Sequence, residues 1–448
     1  MKMLEPKAEL KGKYRLLLLG YLLILIFFTG IGQVSLNRDG GSSDSLKQPA
    51  FGFTIPALGG LSFSVGGKLE NLVLPLLLLW GLGMIRDREL RLKMTPLLPP
   101  LLVFLFLSVL AYLFSPFRDA SWRGGLREIL LGGGFYFAAA AIISSERYRK
   151  AALGVLYLSV GISVAAGLSL YSRGIYFPHT PRRIWLSFMH PNTTGSALLL
   201  LIPVGVALAA GKISRRGRVL AGALTVFLTL ALVLTFSRTA WLGFIVALGV
   251  LAMQCRHRFR LLGGLILLVS LLILGVCVGP RSYLRDRILS FSSLSRDHNI
   301  EKRLIYWQGV GRMIQTRPVL GYGPGSGVFQ EAYKRRFKEV ETNEEPVHAH
   351  SLYLDLASGI GIPGLLAFLW LVGAAFVSLR SGMVRNSGTL ECFYNRGLTA
   401  GLAGFLFAGL ADNPLFSFRV MLIFWLLLAL VPAGEERVLK LVKDRKLR

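Results

Sequence analysis

Hydrophobic residues occur in long blocks of about 20 residues along the chain, and short polar segments separate these blocks. Continuous blocks of this length are typical of helices that cross a bilayer, where every backbone polar group must be satisfied within the helix. The pattern therefore predicts an all-α polytopic membrane protein. The twelve predicted spans are residues 15–36, 69–85, 97–115, 126–144, 151–171, 195–211, 218–236, 239–254, 261–279, 351–379, 397–411 and 415–432.

One polar segment, residues 280–350, is much longer than the other connections and lies between the ninth and tenth spans. Structureless loops of that length are uncommon unless they have a function. Apolar spacing predicts a helix from Glu301 to Thr316 and a second from Val328 to Lys338, with a glycine-rich turn between them. The chain thus divides into residues 1–279 with nine spans, the 280–350 loop, and residues 351–448 with three spans and a tail.

Charge gives the expected orientation. The chain has 51 Lys and Arg against 24 Asp and Glu, a net charge of +27, and much of the excess lies in short loops between apolar blocks. This is the positive-inside pattern, so we expect these loops and both termini to be cytoplasmic. The segments 37–68, 116–125, 172–194, 280–350 and 412–414 then face outward. The basic segments are Lys11–Arg15, Arg86–Lys93, Arg147–Lys150, Lys212–Arg218, Arg256–Arg260, Arg380–Arg396 and Lys440–Arg448.

Composition excludes several classes of function. Hydrophobic residues make up 53% of the chain, more than a soluble protein of this size could bury. No basic patch with interleaved aromatic residues stands apart from the topology signal, so we expect no nucleic-acid partner. The three cysteines are far apart, and no metal-binding motif is present, so we expect neither a metal nor a cofactor. No A-x-A-like cleavage site follows Gly32, which favours an uncleaved first helix.

Two arginines are candidate anion ligands on the outward side. Arg238 lies in the TFSRTAW stretch, at the tip of the hairpin between the seventh and eighth spans. Its guanidinium suits phosphate oxygens, although an arginine there could instead extend toward lipid phosphates. Arg303 lies four residues before Trp307, so the two side chains share a helix face. A solvated surface charge is the alternative interpretation of Arg303.

His348 and His350 stand at the entrance to the tenth span. The positive end of a helix dipole disfavours protonation, and a neutral imidazole can act as a general base near neutral pH. We favour His350 for this role because it adjoins the span. His348 is two residues earlier and cannot share a helical face with it. The alternative is a helix-capping or interfacial histidine.

The stretch FMHPNTTG, residues 188–195, precedes the sixth span and contains His190. Thr193 or Thr194 would cap that helix well, so His190 and Asn192 are expected to be structural.

Two acidic groups lie near the outer boundary. Asp355 is just inside the tenth span, and Asp412 lies in a tight outward turn. Charged groups at such depths are costly and often functional, although a hydrogen bond within the bundle would also explain Asp355. They would suit a transporter as well as an enzyme. Against transport, there is no inverted repeat, and the candidate residues cluster at the boundary rather than at the midplane.

Several stretches together resemble a known family. They are HPN at residues 190–192, TFSRTA at 235–240, RLIYWQGVGRMIQTRPVLGYGPGSGVF at 303–329 and HAHSLYLDLASGIGIPG at 348–364. In this order and spacing they resemble the O-antigen ligase family, which includes O-antigen polymerases and protein O-oligosaccharyltransferases. The resemblance covers residues 190–364, whereas the first five predicted spans share only their general hydrophobic character with the family. Ser351 departs from the family pattern, which often has Asn there.

The resemblance implies a GT-C-like fold with a large periplasmic helical loop, in the bacterial inner membrane. It implies a glycosyltransferase that moves an O-antigen-type glycan from undecaprenyl diphosphate to a lipid A-core sugar hydroxyl, with inversion and without a metal. His350 would be the base, and Arg238 and Arg303 would bind the diphosphate. An O-antigen polymerase, with a second lipid-linked glycan as acceptor, remains open, as does the transporter. Supporting residues would be His348, His190, Asn192, Trp307 and Asp412.

Overall fold

A computed structural model describes most of the chain. The described residues are 5–31, 51–54, 62–65, 69–87, 89–93, 95–143, 145–176, 182–184, 186, 190–211, 214–254, 298–337, 348–386, 389–431 and 436–440. The helices are α1 (Glu5–Ile31), α2 (Leu69–Asp87), α3 (Leu98–Leu113), α4 (Arg118–Gly124), α5 (Leu126–Ile142), α6 (Glu146–Ser172), α7 (Pro191–Ala209), α8 (Arg215–Leu234), α9 (Arg238–Met253), α10 (His298–Thr316), α11 (Ser326–Ala332), α12 (Leu352–Arg385), α13 (Leu390–Ala408) and α14 (Phe418–Ala429).

Helices dominate the described residues, as the sequence predicts, but four short strands were not predicted. Strands β1 (Phe51–Thr54) and β2 (Ser62–Val65) pair antiparallel within the 37–68 segment. Strand β3 (Glu89–Lys93) pairs with β4 (Glu436–Lys440), so a loop near the start of the chain meets the tail. Both of these segments were assigned to the cytoplasmic side, and the pairing places them together.

Among the described residues, four helices are long and apolar enough to cross a membrane by length and composition: α6, α7, α8 and α12. Eleven of the twelve predicted spans overlap a helix, while the ninth, residues 261–279, lies outside the described residues. The count of twelve stays a prediction. Shorter apolar stretches are Tyr14–Thr29, Asn71–Arg86, Leu98–Leu113, Arg238–Met253 and Phe418–Ala429.

Hydroxyl side chains begin the helices that carry the candidate site. Ser237 caps α9 by accepting the N–H of Ala240, and Ser351 caps α12 by accepting the N–H of Leu354. Serine is among the preferred residues at this position because its oxygen satisfies a backbone donor that the helix cannot. Arg238 is consequently the first residue of α9, and His350 immediately precedes the cap of α12.

Helix α13 lies at the centre of the bundle and packs against α7 and α9. Its small residues permit this. A Cβ atom on Gly404 would overlap the carbonyl oxygen of Gly243, and one on Gly401 would lie 2.9 Å from the carbonyl oxygen of Leu200. Close approach through glycines is typical of helices packed in membranes.

The large loop forms a small helical unit with its own apolar cluster. The predicted helix at 301–316 is confirmed within α10, and the predicted second helix appears as α11 followed by a π-helix, Tyr333–Phe337. In the turn between them, Gly321, Gly323 and Gly325 have positive φ angles, which glycine adopts without strain. Residues that share the cluster are Tyr306, Val310, Met313, Tyr322, Val328, Phe329, Ala332, Tyr333, Phe337 and Ala349.

Backbone hydrogen bonds attach this unit to α12. The N–H of Tyr322 donates to the carbonyl of Ser358, and the N–H of Gly323 donates to that of Gly359, each at 2.9 Å. These carbonyls are free because α12 is interrupted at Gly361, whose φ of 81° is not helical. The loop therefore docks at an irregularity near the amino end of α12, close to the two histidines.

Candidate functional site

The histidine turn, residues 348–351, brings two imidazoles together immediately before α12. The ring centroids of His348 and His350 are 4.2 Å apart. His350 has a φ of 50°, a left-handed conformation that is uncommon for a residue with a side chain. Such strain is often found at functional sites, where surrounding contacts hold it in place. The two histidines meet through this turn, although they share no helical face.

Asp355 holds the turn from within α12. Its Oδ1 accepts the N–H of Ala349 at 2.8 Å, and its Oδ2 accepts the side-chain amide of Asn413 at 2.7 Å. The N–H of Leu352 donates to the carbonyl of Asp412 at 3.0 Å. The interpretation of Asp355 as a hydrogen-bonded residue of the bundle is thus confirmed. It ties the histidine turn to the connection between α13 and α14.

Both histidines are held in their neutral form. Burial, followed by the nearby Arg303 cation, lowers the pKa of His348 to about 4. Burial also lowers the pKa of His350, and His348 and Arg303 lower it further, while the carboxylate of Asp412 opposes them. The sequence predicts neutrality from the helix dipole, whereas burial is the largest cause in the structure.

The two imidazoles differ in which nitrogen is available. Nδ1 of His348 accepts the backbone N–H of His350 at 3.0 Å, so the proton of the neutral ring resides on Nε2. Nδ1 of His350 is buried, and the described residues offer it no hydrogen-bond partner. His348 is therefore arranged as a hydrogen-bond donor. His350 keeps a ring nitrogen that can accept a proton.

Helix α10 places Arg303 and Trp307 over the turn. The indole N–H of Trp307 donates to the carbonyl of Ala349, between the two histidines, at 2.8 Å. Arg303, one turn earlier, is close enough to lower the pKa of both imidazoles. The prediction that these side chains share a helix face agrees with both contacts. Tyr306 also packs over the turn, where its ring stacks on the His350 ring with 6.3 Å between the ring centroids.

The prediction that Thr193 or Thr194 caps α7 is wrong. The helix begins earlier, at Pro191, and Nδ1 of His190 accepts the N–H of Asn192 at 3.2 Å. Proline suits the first helical position because it lacks the N–H that would otherwise be unsatisfied. His190 is thus a cap, and it also interacts electrostatically with His350. Burial and the Arg183 cation lower its pKa.

Arg183 is a buried residue of this region that the sequence analysis missed. Its Nη2 donates to Oδ1 of Asn192 and its Nε donates to the carbonyl of Thr235, both at 2.6 Å. It thereby connects the start of α7 to the hairpin that carries Arg238. A signal was present, because arginines are depleted from outward loops by the positive-inside bias, and Arg183 lies in such a loop.

Arg238 lies at the tip of the α8–α9 hairpin. The residue two positions earlier, Phe236, has a φ of 51°, and Ser237 caps the helix that Arg238 begins. The described contacts join this hairpin to the histidines through Arg183 and His190. Electrostatic interactions directly link His348, His350, Arg303, His190 and Asp412.

One subset of these residues could hold a metal ion. His348, His350 and Asp412 each offer a ligand atom, and these atoms lie within 4.8 Å of one another. Two imidazoles and a carboxylate suit several divalent metals. The Arg303 cation beside both imidazoles opposes a dication, so the arrangement is better suited to proton transfer.

A cavity of about 210 Å³ adjoins the turn. Of the two histidines, His348 lines it, together with Asp355 and Asn413, and the glycine-rich turn at residues 322–326 forms another wall. Pockets for drug-sized ligands hold about 300–1,000 Å³, so this cavity suits a single ring-sized group. Trp425 and Phe416 add aromatic surface to it.

Comparison with known families identifies the region that carries this site. Residues 223–369 match the model of the O-antigen ligase family. This matched stretch, which is less than half of the chain, is similar to an O-antigen ligase domain. The domain spans α9, the large loop and the histidine turn, and includes Arg238, Arg303, His348 and His350. His190 and Asp412 lie outside the matched residues but interact with those inside.

A protein of Rickettsia prowazekii (strain Madrid E), described by its name as a polysaccharide ligase, is 30% identical over 112 residues. The match covers 24% of this chain and 28% of the relative, so the chain spans well under half of the relative's length in this comparison. Together with the apolar helices, the match to the O-antigen ligase family indicates a multi-pass membrane protein.

Proposed function

We propose that the O-antigen ligase domain transfers an O-antigen-type glycan from undecaprenyl diphosphate to a hydroxyl of a lipid A-core sugar. The reaction takes place at the periplasmic face of the bacterial inner membrane. The observation that supports it is a neutral, half-buried His350 beside Arg303 and Asp412, within residues that match this family. In this proposal residues 280–350 are the periplasmic loop, between membrane parts 1–279 and 351–448.

The proton moves to His350. A nitrogen of its neutral ring accepts the proton of the acceptor hydroxyl, and the oxygen attacks the anomeric carbon of the donor sugar. The bond from that carbon to the diphosphate breaks, and its electron pair stays on the leaving oxygen. A single displacement of this kind inverts the anomeric carbon. The carboxylate of Asp412 then stabilises the imidazolium that forms.

Arginine cations take up the charge that develops on the leaving group. Arg303, and Arg238 on the neighbouring hairpin, would bind the diphosphate oxygens. Cations directed at that group accelerate the reaction when they stabilise the transition state more than the ground state. Loss of one such donor costs about 2–4 kcal/mol of barrier in comparable sites. With two cations in this role, the proposed reaction needs no metal.

His348 would position the acceptor rather than remove its proton. Its Nδ1 is engaged by the N–H of His350, so a base role would require loss of that hydrogen bond. Its Nε2–H can instead donate to an oxygen of a sugar in the adjoining cavity. Trp307 and Asp355 fix the turn, while His190 and Asn192 support it from α7.

The test is glycan transfer by the purified full chain, with an undecaprenyl-diphosphate glycan as donor and lipid A-core as acceptor. We expect His350→Gln to lower kcat by about 10²–10⁴-fold, the usual contribution of a general base. His348→Gln should lower it by less and should raise KM for the acceptor. A second arm replaces lipid A-core by another lipid-linked glycan, and product formed only in that arm would indicate a polymerase.

Three outcomes would contradict the proposal. Full activity of His350→Gln would show that His350 is not the base. A larger loss of activity in His348→Gln than in His350→Gln would show that the two histidines have the opposite roles. Loss of activity on adding a chelator, with recovery on adding a divalent metal, would favour a metal at His348, His350 and Asp412. Movement of the donor glycan across the membrane without covalent transfer would indicate a transporter.

A further inference from the structure

A second, larger cavity of about 620 Å³ lies among α6, α7, α8 and α13. It is bounded by the amino ends of α6, α8 and α13 and by the carboxyl end of α7. The histidine cluster lies at the opposite ends of the same helices, since His190 begins α7 and Asp412 follows α13. The large cavity is therefore separate from the candidate active site.

The interior of this cavity is apolar. Leu153, Leu208 and Leu224 line it, together with Leu220, which is 70% exposed. A Cβ atom built on Gly154 would meet no other atom within 4 Å, so the wall beside this glycine is open space. Three of the four enclosing helices are long and apolar enough to cross a membrane. The surroundings and the lining both suit a hydrocarbon chain.

The mouth of the cavity is basic at its edge, where α8 begins. Within the lining, Arg149 pairs with Glu391 at 2.8 Å and Lys150 pairs with Glu146 at 2.7 Å, so these four charges balance. Helix α8 has no acidic residue in its first turn, and its amino end is the positive end of the helix dipole. Its first residues include exposed cations that lie beside the lining rather than in it, which are Arg215, Arg216 and Arg218.

A buried donor also lines the cavity. Tyr394 is 6% exposed, and its hydroxyl has no hydrogen-bond partner among the described residues. Buried polar groups in native proteins are normally hydrogen-bonded, so an unpaired hydroxyl at a cavity wall indicates a missing partner. An ester oxygen of a bound lipid, next to its apolar chain, would supply an acceptor.

We propose that this cavity binds an anionic glycerophospholipid, with one acyl chain between α6 and α8 and the phosphate at the amino end of α8. The order of apolar interior, unpaired donor and basic mouth matches the order of chain, ester and phosphate in such a molecule. A free sugar would leave the apolar walls unfilled. A lipid with no net charge would not use the excess of cations at the mouth.

The experiment measures binding of phosphatidylglycerol to the purified, delipidated full chain by native mass spectrometry and thermal unfolding. We expect one tightly bound phosphatidylglycerol, and about tenfold or greater loss of its affinity in Gly154→Leu, whose side chain would fill the open space. Gly373→Leu is the matched control, because Gly373 lies on α12, away from the cavity, and also has no atom within 4 Å of a Cβ. Ala221→Phe fills the cavity from the facing helix and provides a second occluding variant.

The charge of the ligand is tested separately. Arg215→Gln combined with Arg216→Gln should reduce affinity for phosphatidylglycerol toward that of phosphatidylcholine, while inorganic phosphate alone should not compete. Equal binding of the two lipids by the unaltered chain would overturn the proposal, as would displacement by phosphate. The proposal would also be overturned if Gly154→Leu and Ala221→Phe bound phosphatidylglycerol as tightly as the control Gly373→Leu. None of these measurements depends on glycan transfer.

Discussion

At the scale of single residues, the site contains unfavourable features of His350 that contacts with neighbouring residues stabilise. His350 has a left-handed backbone and a half-buried ring beside a cation, and each of these features costs free energy. Two hydrogen bonds at Ala349 offset part of that cost: its N–H donates to Asp355, and its carbonyl accepts the indole N–H of Trp307. The result is an imidazole that stays neutral where a solvated histidine would begin to protonate.

The pH dependence of transfer should reveal the link between Arg303 and His350. A general base must be unprotonated, and its lowered pKa keeps it so below pH 6.5, the ordinary histidine value. In Arg303→Gln the cation is lost, so the pKa should rise and the acidic limb of kcat/KM should move to higher pH. The measurement is a pH–rate profile of the variant beside the unaltered protein.

Lys302→Gln is the matched control for this profile, because it removes the neighbouring cation on α10. It should leave the acidic limb in place. If Arg303→Gln lowers the rate equally at every pH, Arg303 binds the donor without influencing the base, and the proposed coupling is wrong. The rate loss at high pH, about 2–4 kcal/mol of barrier, reports the contribution of Arg303 to donor binding and charge stabilisation.

At the scale of elements, two contacts decide where the site forms. Helix α10 is held over the histidine turn by Trp307, and the glycine-rich turn after it binds α12 where that helix is interrupted. On the membrane side, α13 fits between α7 and α9 because its glycines let the helix backbones approach closely. The position of Asp412, immediately beyond α13, follows from this packing.

Replacing a glycine in that seam should destabilise the protein. In Gly404→Ala the new methyl group would overlap the backbone of Gly243 and lie 2.8 Å from the Cβ of Ala247, and backbone atoms cannot easily move. We expect a loss of about 1–3 kcal/mol, typical of overpacking. The measurement is the unfolding midpoint of the purified chain in detergent.

Gly373→Ala is the control for this prediction. Its new methyl group would meet nothing within 4 Å, and alanine is favoured over glycine in a helix, so stability should stay the same or rise slightly. Equal unfolding midpoints for Gly404→Ala and Gly373→Ala would show that α13 does not approach α9 as closely as in this structure.

At the scale of the whole molecule, segments assigned to the same side of the membrane lie together. Strands β3 and β4 pair two basic segments, and Arg149 bridges to Glu391 between two others. At the other end, segments assigned outward contribute His190, Arg303, His350 and Asp412 to one cluster. This agreement supports the predicted sidedness, although the orientation relative to the cell stays a prediction.

Accessibility of introduced cysteines would test that orientation. In a background with Cys255, Cys277 and Cys392 replaced by serine, Gln308→Cys on α10 should react with a membrane-impermeant maleimide applied to spheroplasts. Arg216→Cys, exposed at the start of α8, should react only after the membrane is permeabilised. The reverse pattern would mean that the chain is inserted the other way round. Reaction of both cysteines in intact spheroplasts would contradict the predicted separation of the two sides.

Local patterns in the sequence predicted most of the helices, because helix formation in apolar segments depends on residues near in the chain. They also predicted the helix within the large loop and the face that Arg303 shares with Trp307. Strands β3 and β4 were missed because they are more than 300 residues apart and only their pairing defines them. The cap of α7 was misplaced because a histidine took a role that threonine usually fills.

By itself, the sequence determined the apolar helices, the expected sidedness and the order of motifs that resembles the O-antigen ligase family. Only the tertiary structure decided which of these residues meet and which histidine nitrogen has no hydrogen-bond partner among the described residues. It also decided that Arg183 joins the start of α7 to the α8–α9 hairpin. The physical reason is that hydropathy and capping act between neighbours in the chain. Protonation, tautomer and strain depend on burial and on charges brought together from distant segments, and no local pattern records those.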